Sequence, residues 1–350
     1  MLKTMNAAFI TGLKSLEIKN VPVPHVEQGT VLVKVTSCSV CGSDIRIFDT
    51  GNKRVVYPAI IGHEVAGEVV KVGQGITRFR VGDKVALGAD IPCGACEWCL
   101  NGMCNCCDKN YALGHQFPGG FAQYCLLNPL VVQFGAVSFV SEKTSMEEAA
   151  LTEPLACCVN GMEKVNFTGG KSVLIFGAGP IGLLLAQLAR VFGSTLVIVV
   201  DIDEKRLDQA RLFKPDYVIN SAKNNLTNII NNLTNGKGVD VIFTACAAAN
   251  VHELSLSLVA KRGNINLFGG LPITAGPINI FSNQIHYKEI SVTGSHGSTP
   301  KQFDLAMQLI SSGRINVSSL ITHHFPLVDL EKAFETVRNR EGLKIVVNPW

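Results

Sequence analysis

The chain has 350 residues, of which 47% are hydrophobic and 17% are charged, and its formal net charge is +3. A single core usually stops growing at about 250–300 residues, so two domains are expected. The small net charge gives no reason to expect nucleic acid or an anionic membrane as a partner, and no apolar run approaches the roughly 20 residues of a membrane span.

The beginning of the chain has no apolar core typical of an export signal, which predicts a cytoplasmic protein. Its 12 cysteines are then expected to be reduced thiols or metal ligands, because disulfides are rare in that compartment. From the start to about residue 134, short β-type runs alternate with glycine-rich turn signals, which predicts an all-β, barrel-like unit. Clear runs lie at 31–35, 66–70 and 83–87.

The pattern changes after Glu153, where a helix is predicted from Pro154. Apolar runs without alternation follow, typical of parallel strands buried on both faces, with room for crossover helices between them. These strands are predicted at 172–176, 195–200, 239–243, 263–268 and 290–293. The predicted class is therefore α/β, with a doubly wound parallel sheet. The remaining predicted elements are helices at 177–193, 224–235, 300–311 and 327–339 and a strand at 344–347.

A Gly-x-Gly-x-x-Gly run spans Gly177 to Gly182, between a predicted strand and a predicted helix. In this context the glycines permit a tight turn, a close approach to a pyrophosphate and close packing of the helix on the strand. Asp201 ends the next strand, where it would bind both ribose hydroxyls of NAD and repel the 2′-phosphate of NADP. Lys205 and Arg206 follow and would soften that discrimination. The predicted cofactor-binding residues are Gly177, Gly179, Pro180, Ile181, Gly182, Asp201 and Arg206. The alternative is a glycine-rich turn that binds no nucleotide.

A cluster of cysteines begins Cys93-Gly-Ala-Cys96-Glu-Trp-Cys99 and continues to Cys107. Four thiolates this close in sequence can enclose one tetrahedral zinc ion with no open position, which is typical of a structural site. Cys104 and Cys106 make the fourth ligand ambiguous from spacing alone. Free thiols, a redox switch and an iron–sulfur cluster are the alternatives.

A third set of motifs comprises Cys41-Gly-Ser-Asp44, Gly62-His-Glu64 and Thr152-Glu-Pro154. A hydride-transfer zinc needs three protein ligands and one open position, and as a Lewis acid it lowers the pKa of an alcohol. The predicted roles are metal ligation by Cys41, His63 and a carboxylate (Glu64 or Glu153), proton relay by Ser43 and orientation of His63 by Asp44. Taken one at a time, Cys41 and His63 could instead be ordinary buried residues.

The order of these motifs resembles the zinc-containing medium-chain dehydrogenase family. The resemblance implies a GroES-like catalytic domain formed by residues 1–156 and 297–350, interrupted by an NAD-binding Rossmann domain at 157–296. It also implies an active site between the two domains, and homodimers or homotetramers formed through the Rossmann sheets. The family spacing makes Cys107 the fourth ligand of the structural zinc.

Within the family, many alcohol dehydrogenases carry a cysteine where this chain has Glu153. The glutamate resembles the sorbitol (L-iditol) dehydrogenase branch. That resemblance implies zinc ligation by Cys41, His63 and Glu64, with Glu153 orienting a water or moving in as a ligand; the sequence leaves open which carboxylate binds at rest. It also implies that Lys344 contacts the cofactor.

One position departs from the family pattern. Many relatives have a relay histidine five residues after the catalytic cysteine, and this chain has Arg46. Arginine stays protonated and cannot relay protons at neutral pH. Either the relay runs through Ser43 and a cofactor hydroxyl, or Arg46 binds an anionic group such as a phosphate, or it is an ordinary solvated arginine. Arg46 and Phe48 are the predicted substrate-contacting residues.

These observations predict a zinc enzyme that transfers a hydride between NAD and the secondary alcohol, or the ketone, of a polyol or sugar derivative, phosphorylated or not. L-Threonine 3-dehydrogenase, cyclitol dehydrogenase and ketose-phosphate oxidoreductase activities are the enzyme alternatives. A sensor of NADH or redox state without turnover is the alternative from another class, but it would not need an open metal position. A zincless quinone reductase is disfavoured by both metal sites.

Overall fold

A computed structural model describes residues 2–350. The chain forms two compact units, one built from the residues up to Cys157 together with Gly297–Trp350 and the other from Cys158–His296. Within residues 2–350, no helix has the length and apolar character that crossing a membrane requires. No disulfide joins any of the cysteines there.

The first unit is built mainly from β-strands. Its N-terminal strands are β1 (Thr4–Gly12), β2 (Ser15–Pro22), β3 (Val31–Ser39), β4 (Glu64–Val72), β5 (Lys84–Leu87), β6 (Asp90–Ile91), β7 (Tyr111–Ala112), β8 (Tyr124–Leu127) and β9 (Val137–Phe139). Its helices before the boundary are α1 (Gly42–Thr50), α2 (Glu97–Leu100), α3 (Pro129–Phe134) and α4 (Met146–Ala150). The next helix, α5 (Thr152–Lys164), begins in this unit and continues past Cys157 into the second.

The expectation that this region is all-β is wrong in one respect that matters for function, because α1 directly follows Cys41. The Asp44 carboxylate accepts a hydrogen bond from the Cys41 backbone N–H at 2.9 Å, which satisfies a donor that the start of a helix would otherwise leave free. A short polar run at the end of a buried strand therefore becomes a helix N-terminus instead of a turn.

The second unit is a parallel sheet with helices between its strands. The strands are β10 (Ser172–Phe176), β11 (Leu196–Asp201), β12 (Tyr217–Asn220), β13 (Val239–Thr244), β14 (Val259–Leu267) and β15 (Ser291–Gly294), and the helices are α6 (Pro180–Val191), α7 (Glu204–Arg211), α8 (Leu226–Leu233), α9 (Ala249–Leu258) and α10 (Ser282–Lys288). The spatial order is β12-β11-β10-β13-β14-β15, the doubly wound order of a dinucleotide-binding sheet.

The C-terminal stretch returns to the first unit. It contains α11 (Pro300–Ser311), β16 (Ile321–Pro326), α12 (Leu330–Arg338) and β17 (Lys344–Asn348). The helix predicted at 327–339 begins instead with a short 3-10 turn, Leu327–Asp329. The main sheet of this unit runs β16-β17-β3-β4-β5-β9, with β8 also paired to β3. Because β17 and β4 both pair with β3, the last strand lies close to the strand that carries Glu64.

Candidate metal and cofactor sites

Three predicted metal ligands meet in the first unit. Cys41 precedes α1 and Glu64 begins β4, with His63 just before it. One ligand atom from each of these residues lies within 4.8 Å of the others. His63 is 5% exposed and Glu64 is fully buried. A thiolate, an imidazole and a carboxylate at this spacing form a donor set that suits zinc.

Asp44 and Ser43 flank the two ring nitrogens of His63. Oδ1 of Asp44 lies 3.3 Å from Nδ1, and Oγ of Ser43 lies 3.4 Å from Nε2. Burial by itself lowers the pKa of His63, but the charges of Asp44 and Cys41 outweigh it and raise that pKa well above its usual value. The site is therefore electronegative, as a cation site must be, and Asp44 lies where the sequence predicts a carboxylate that orients His63.

The two candidate carboxylates differ in position. Glu64 belongs to the group of three ligand atoms, and Glu153 lies outside that group. Glu153, in α5, is 6% exposed. Burial raises its pKa to about 7; nearby charges, including Glu64 and His63, also act on it. The structure thus places Glu64 as the nearer carboxylate and Glu153 as a buried acid whose pKa is close to neutrality.

Lys344 reaches the metal-ligand group from β17. Its Nζ contacts both carboxylate oxygens of Glu64 and lies 3.4 Å from the Val40 backbone oxygen. The side chain is almost completely buried. That Lys344 contacts the cofactor stays a prediction; the contact the structure shows is with Glu64.

His115 is a residue of this region that the sequence did not single out. Its ring centroid lies 6.1 Å from that of His63. Burial, with the charge of His63, lowers the pKa of His115 to about 4, so the ring is neutral near pH 7. A lone histidine upstream of a glycine pair gives no sequence signal, since only the fold brings it to His63.

The two predicted substrate residues lie on α1. Arg46 is exposed. Phe48 is 3% exposed, and its ring packs on Phe334 with centroids 5.4 Å apart. Contact of Arg46 with substrate stays a prediction, and contact of Phe48 gains no support because the core encloses its ring.

The four-cysteine group also forms in the structure. The ligand atoms of Cys93, Cys96, Cys99 and Cys107 lie within 4.8 Å of one another, and Cys104 and Cys106 lie outside that group. Backbone N–H groups support the thiolates. The Cys96 N–H lies 3.4 Å from the Cys93 sulfur, and such hydrogen bonds lower the pKa of Cys93 and of Cys96. The set suits a closed, structural zinc site.

The glycine run forms the turn between β10 and α6 in the second unit. Gly177 has φ +105°, a conformation that favours glycine. A Cβ on Gly182 would lie 1.8 Å from the Gly177 backbone oxygen, so the third glycine lets the helix pack against the strand. Pro180 and Ile181 are the first two residues of α6, whose N-terminus offers unpaired N–H groups to phosphates.

Asp201 and Arg206 lie beside this turn. Oδ2 of Asp201 accepts a hydrogen bond from the Ala178 N–H at 2.7 Å, which ties the end of β11 to the glycine run. A Cβ on Gly179 would lie 3.0 Å from Nη1 of Arg206. Both side chains thus lie at the turn where the sequence predicts a nucleotide, and their contact with it stays a prediction.

Comparison with known proteins identifies the family. Residues 27–133 match the model of the alcohol dehydrogenase GroES-like domain, and residues 180–312 match that of zinc-binding dehydrogenases.

The chain belongs to the zinc-binding dehydrogenase family.

Three relatives illustrate the likeness. A sorbitol dehydrogenase of Halalkalibacterium halodurans is 32% identical to this chain. The matched residues make up 97% of this chain and 96% of that relative. A D-arabitol-phosphate dehydrogenase of Enterococcus avium is 30% identical, and the match covers 99% of this chain and 98% of that relative. The solved structure of an alcohol dehydrogenase from Thermotoga maritima has a TM-score of 0.93 at 27% identity, with 99% and 100% covered.

These matches confirm the predicted GroES-like and Rossmann-type fold and the resemblance to sorbitol dehydrogenases. This zinc-binding dehydrogenase is therefore an enzyme, an oxidoreductase of alcohols that uses zinc and a nicotinamide cofactor.

Proposed function

We propose that the enzyme oxidises a secondary alcohol of a polyol or sugar derivative with NAD and catalyses the reverse reduction. The observation that carries this proposal is the group of half-buried Cys41 with buried His63 and Glu64. The carboxylate of Glu153 stands where many alcohol dehydrogenases have a cysteine. Relatives named as sorbitol and D-arabitol-phosphate dehydrogenases support it.

Zinc would be held by Cys41, His63 and Glu64, with Glu153 as the second available carboxylate. When bound, zinc supplies Lewis acidity that lowers the pKa of an alcohol. Asp44 holds the His63 ring in place through Nδ1 and leaves Nε2 for the metal. The fourth ligand of the structural site is Cys107 in this proposal.

Ser43 is the proposed proton acceptor for the substrate hydroxyl. Its Oγ lies beside Nε2 of His63, next to the ligand atoms, and its side chain is half-buried. A hydroxyl can accept one proton as it donates another, so Ser43 can pass the substrate proton toward solvent. Arg46 cannot take this role because its guanidinium stays protonated.

NAD is the proposed cofactor in preference to NADP, and it would supply the hydride acceptor. Gly177, Gly179 and the start of α6 would receive the pyrophosphate, and Asp201 would accept hydrogen bonds from the adenosine ribose. The negative charge of Asp201 disfavours a 2′-phosphate, whereas Arg206 favours one. The balance between these two side chains sets the preference.

A substrate panel tests the proposal. The purified, zinc-loaded protein would be assayed with NAD and with NADP against polyols, their phosphates, inositols and threonine, with the metal content recorded. We expect NAD-linked turnover of at least one polyol or polyol phosphate. Turnover of threonine or inositol alone would reassign the substrate class, and no NAD-linked turnover with any of them would contradict the proposal.

Arg46 is the proposed contact for a phosphate on the substrate, if the substrate carries one. The observation behind this is an exposed guanidinium on α1, the helix that begins next to Cys41. Arg46→Ala should then lower kcat/KM for polyol phosphates more than for plain polyols. Equal effects on the two substrate classes would remove the phosphate role.

A second copy of the chain is the proposed partner, giving a homodimer or homotetramer. β15 is the edge strand of the Rossmann-type sheet, and Val292 on it is 36% exposed. Tyr287 and Phe281, just before it, are 76% and 67% exposed. An unpaired edge beside exposed apolar side chains suits pairing with another strand. Light scattering should show a dimer or a larger oligomer, and Val292→Asp should weaken that association.

The cytoplasm is the proposed location of the enzyme. The thiols of the two proposed metal sites suit a compartment in which disulfides are rare.

A further inference from the structure

The ion pair of Lys344 and Glu64 is unusual in its depth. Lys344 is 4% exposed and Glu64 is 0% exposed. The ammonium contacts both oxygens of the carboxylate. Lysine is rarely buried in this way unless it is paired, so the two side chains depend on each other.

The same carboxylate is one of the three ligand atoms around the metal position. Glu64 therefore stands between two cations, the ammonium of Lys344 and the metal that the site would hold. A carboxylate has about four lone-pair positions, but its single negative charge is shared. Electron density of the Glu64 carboxylate that is drawn toward Lys344 is less available to a metal. The positive charge of Lys344 also repels a cation a few ångströms away.

The charge count supports this view. Zinc carries two positive charges, and Cys41 and Glu64 as anions would cancel both. Lys344 restores one positive charge, and the ligand that it contacts is Glu64. Its charge also acts on Cys41 and Glu153, but without a hydrogen bond to either in the described contacts.

We propose that Lys344 is a positioning residue that holds the Glu64 carboxylate back from the metal, so that zinc has a weakly bound, replaceable third ligand. A weakly held Glu64 would let Glu153 compete for the same metal. The assignment of zinc to Cys41 and His63 rests on the proposed function, but the strength of zinc binding is measured without turnover, so the two can fail separately.

The test is the rate at which a chelator removes zinc from the purified holoenzyme, together with the visible spectrum of the cobalt(II)-substituted protein. Lys344→Met should slow zinc loss from the Cys41 site by about tenfold, a size typical of side chains that act on a ligand. The visible spectrum of the cobalt(II) protein should also change, because Glu64 would be bound more firmly to the metal once Lys344 no longer holds it. Zinc of the four-cysteine lobe should leave at the same rate in all variants and serves as an internal reference.

Three further variants make the test specific. In the Glu64→Gln background, Lys344→Met should change zinc loss by less than threefold, because coupled residues are not additive. Lys344→Arg keeps the charge and should release zinc as the unmodified chain does. Lys332→Met is the matched control, since it removes an exposed lysine that pairs with Asp329 in the same unit.

Faster or unchanged zinc loss in Lys344→Met would overturn the proposal. So would Lys344→Arg behaving as Lys344→Met does. If Lys344→Met does not fold, Lys344→Gln takes its place, because it removes the charge but keeps a hydrogen-bond donor for Glu64. Zinc loss from Lys344→Gln equal to that from Lys344→Arg is then the contradicting result. Failure of the unmodified enzyme to oxidise polyols would contradict only the proposed function.

Discussion

Oδ1 of Asp44 lies 3.3 Å from Nδ1 of His63, and both side chains are almost completely buried. The other oxygen of the same carboxylate accepts the backbone N–H of Cys41 at 2.9 Å. One side chain thus lies against the His63 imidazole and caps the helix that begins next to Cys41. Asp44 therefore links two residues that we propose as metal ligands, Cys41 and His63.

Asp44→Asn tests this coupling. An amide oxygen can still accept from Cys41, but the negative charge that steadies His63 is lost. We expect zinc affinity at the Cys41 site to fall by about 10–100-fold while the fold is retained, measured by chelator competition and circular dichroism. Asp49→Asn is the control, because Asp49 lies on the same helix and pairs with Arg338. Equal zinc affinity in the two variants would show that Asp44 does not act on the metal ligands.

The parts of this molecule that follow from sequence are those decided by nearby residues. The strand predicted at 172–176 is observed as Ser172–Phe176, because an apolar run between polar turns has few other structures available. The helix predicted at 300–311 is observed at Pro300–Ser311, with Thr299 capping it and Gln302 closing the capping box. Local signals agree there with the tertiary structure.

Contacts between distant residues could not be predicted in the same way. Lys344 meets Glu64 across 280 positions of sequence because β17 and β4 flank β3. His115 lies beside His63 because the turn at Gly114 packs against the Gly62 backbone. No local pattern encodes these pairings, so family resemblance could suggest that Lys344 is functional but not which group it contacts.

Two glycines of the turn between β10 and α6 should respond differently to replacement by alanine, one in stability and the other in NAD binding. A Cβ on Gly182 would meet the Gly177 backbone oxygen at 1.8 Å, whereas a Cβ on Gly179 would meet only the end of the Arg206 side chain at 3.0 Å. Gly182→Ala should therefore lower the free energy of unfolding by about 3 kcal/mol, the upper range for overpacking. Gly179→Ala should keep the fold and weaken NAD binding, because the backbone must approach the pyrophosphate there.

Denaturant titration and NAD titration of both variants measure these effects. The unmodified chain is the reference for each. A Gly179→Ala protein that binds NAD as well as the reference would argue against the pyrophosphate lying at Gly179, and an unchanged stability of Gly182→Ala would contradict the packing argument.

Asp201→Asn should weaken NAD binding by about tenfold or more, in line with hydrogen bonds to charged groups. The amide oxygen can still accept from the Ala178 N–H, so the glycine turn should persist. The amide nitrogen cannot accept from the Ile202 and Asp203 N–H groups that Oδ1 now binds. With the negative charge gone and Arg206 in place, the ratio of kcat/KM for NAD to that for NADP should fall. Steady-state kinetics with both cofactors measures this, and Asp208→Asn, an exposed carboxylate on α7, is the control. An unchanged ratio would exclude Asp201 as the ribose ligand.

In the four-cysteine group, a proposed zinc ligand can be compared with a neighbouring cysteine that is not one. Cys99→Ser removes one of the four grouped sulfurs and should reduce bound zinc from about two ions to about one per chain, with a fall in melting temperature of about 2–4 °C for each kcal/mol lost. Cys104→Ser, whose thiol lies beside the Cys99 backbone oxygen, should leave the zinc content unchanged. Loss of zinc in Cys104→Ser and not in Cys99→Ser would reverse the ligand assignment.

Glu153 should make the stability of the metal-free protein depend on pH. Burial raises its pKa to about 7, above the usual value of about 4.3 for glutamate in an unfolded chain. Because the folded pKa is the higher one, the stabilisation is fully present below about pH 4 and is lost as the pH rises through 7. Glu153→Gln cannot ionise. The free energy of unfolding of Glu153→Gln minus that of the metal-free unmodified chain should therefore increase between pH 5 and pH 8, measured by urea titration at each pH. Titrating groups that do not interact with Glu153 are common to the two proteins and cancel in the difference. A difference that is constant over this range would mean that Glu153 ionises as easily in the folded chain as in the unfolded one.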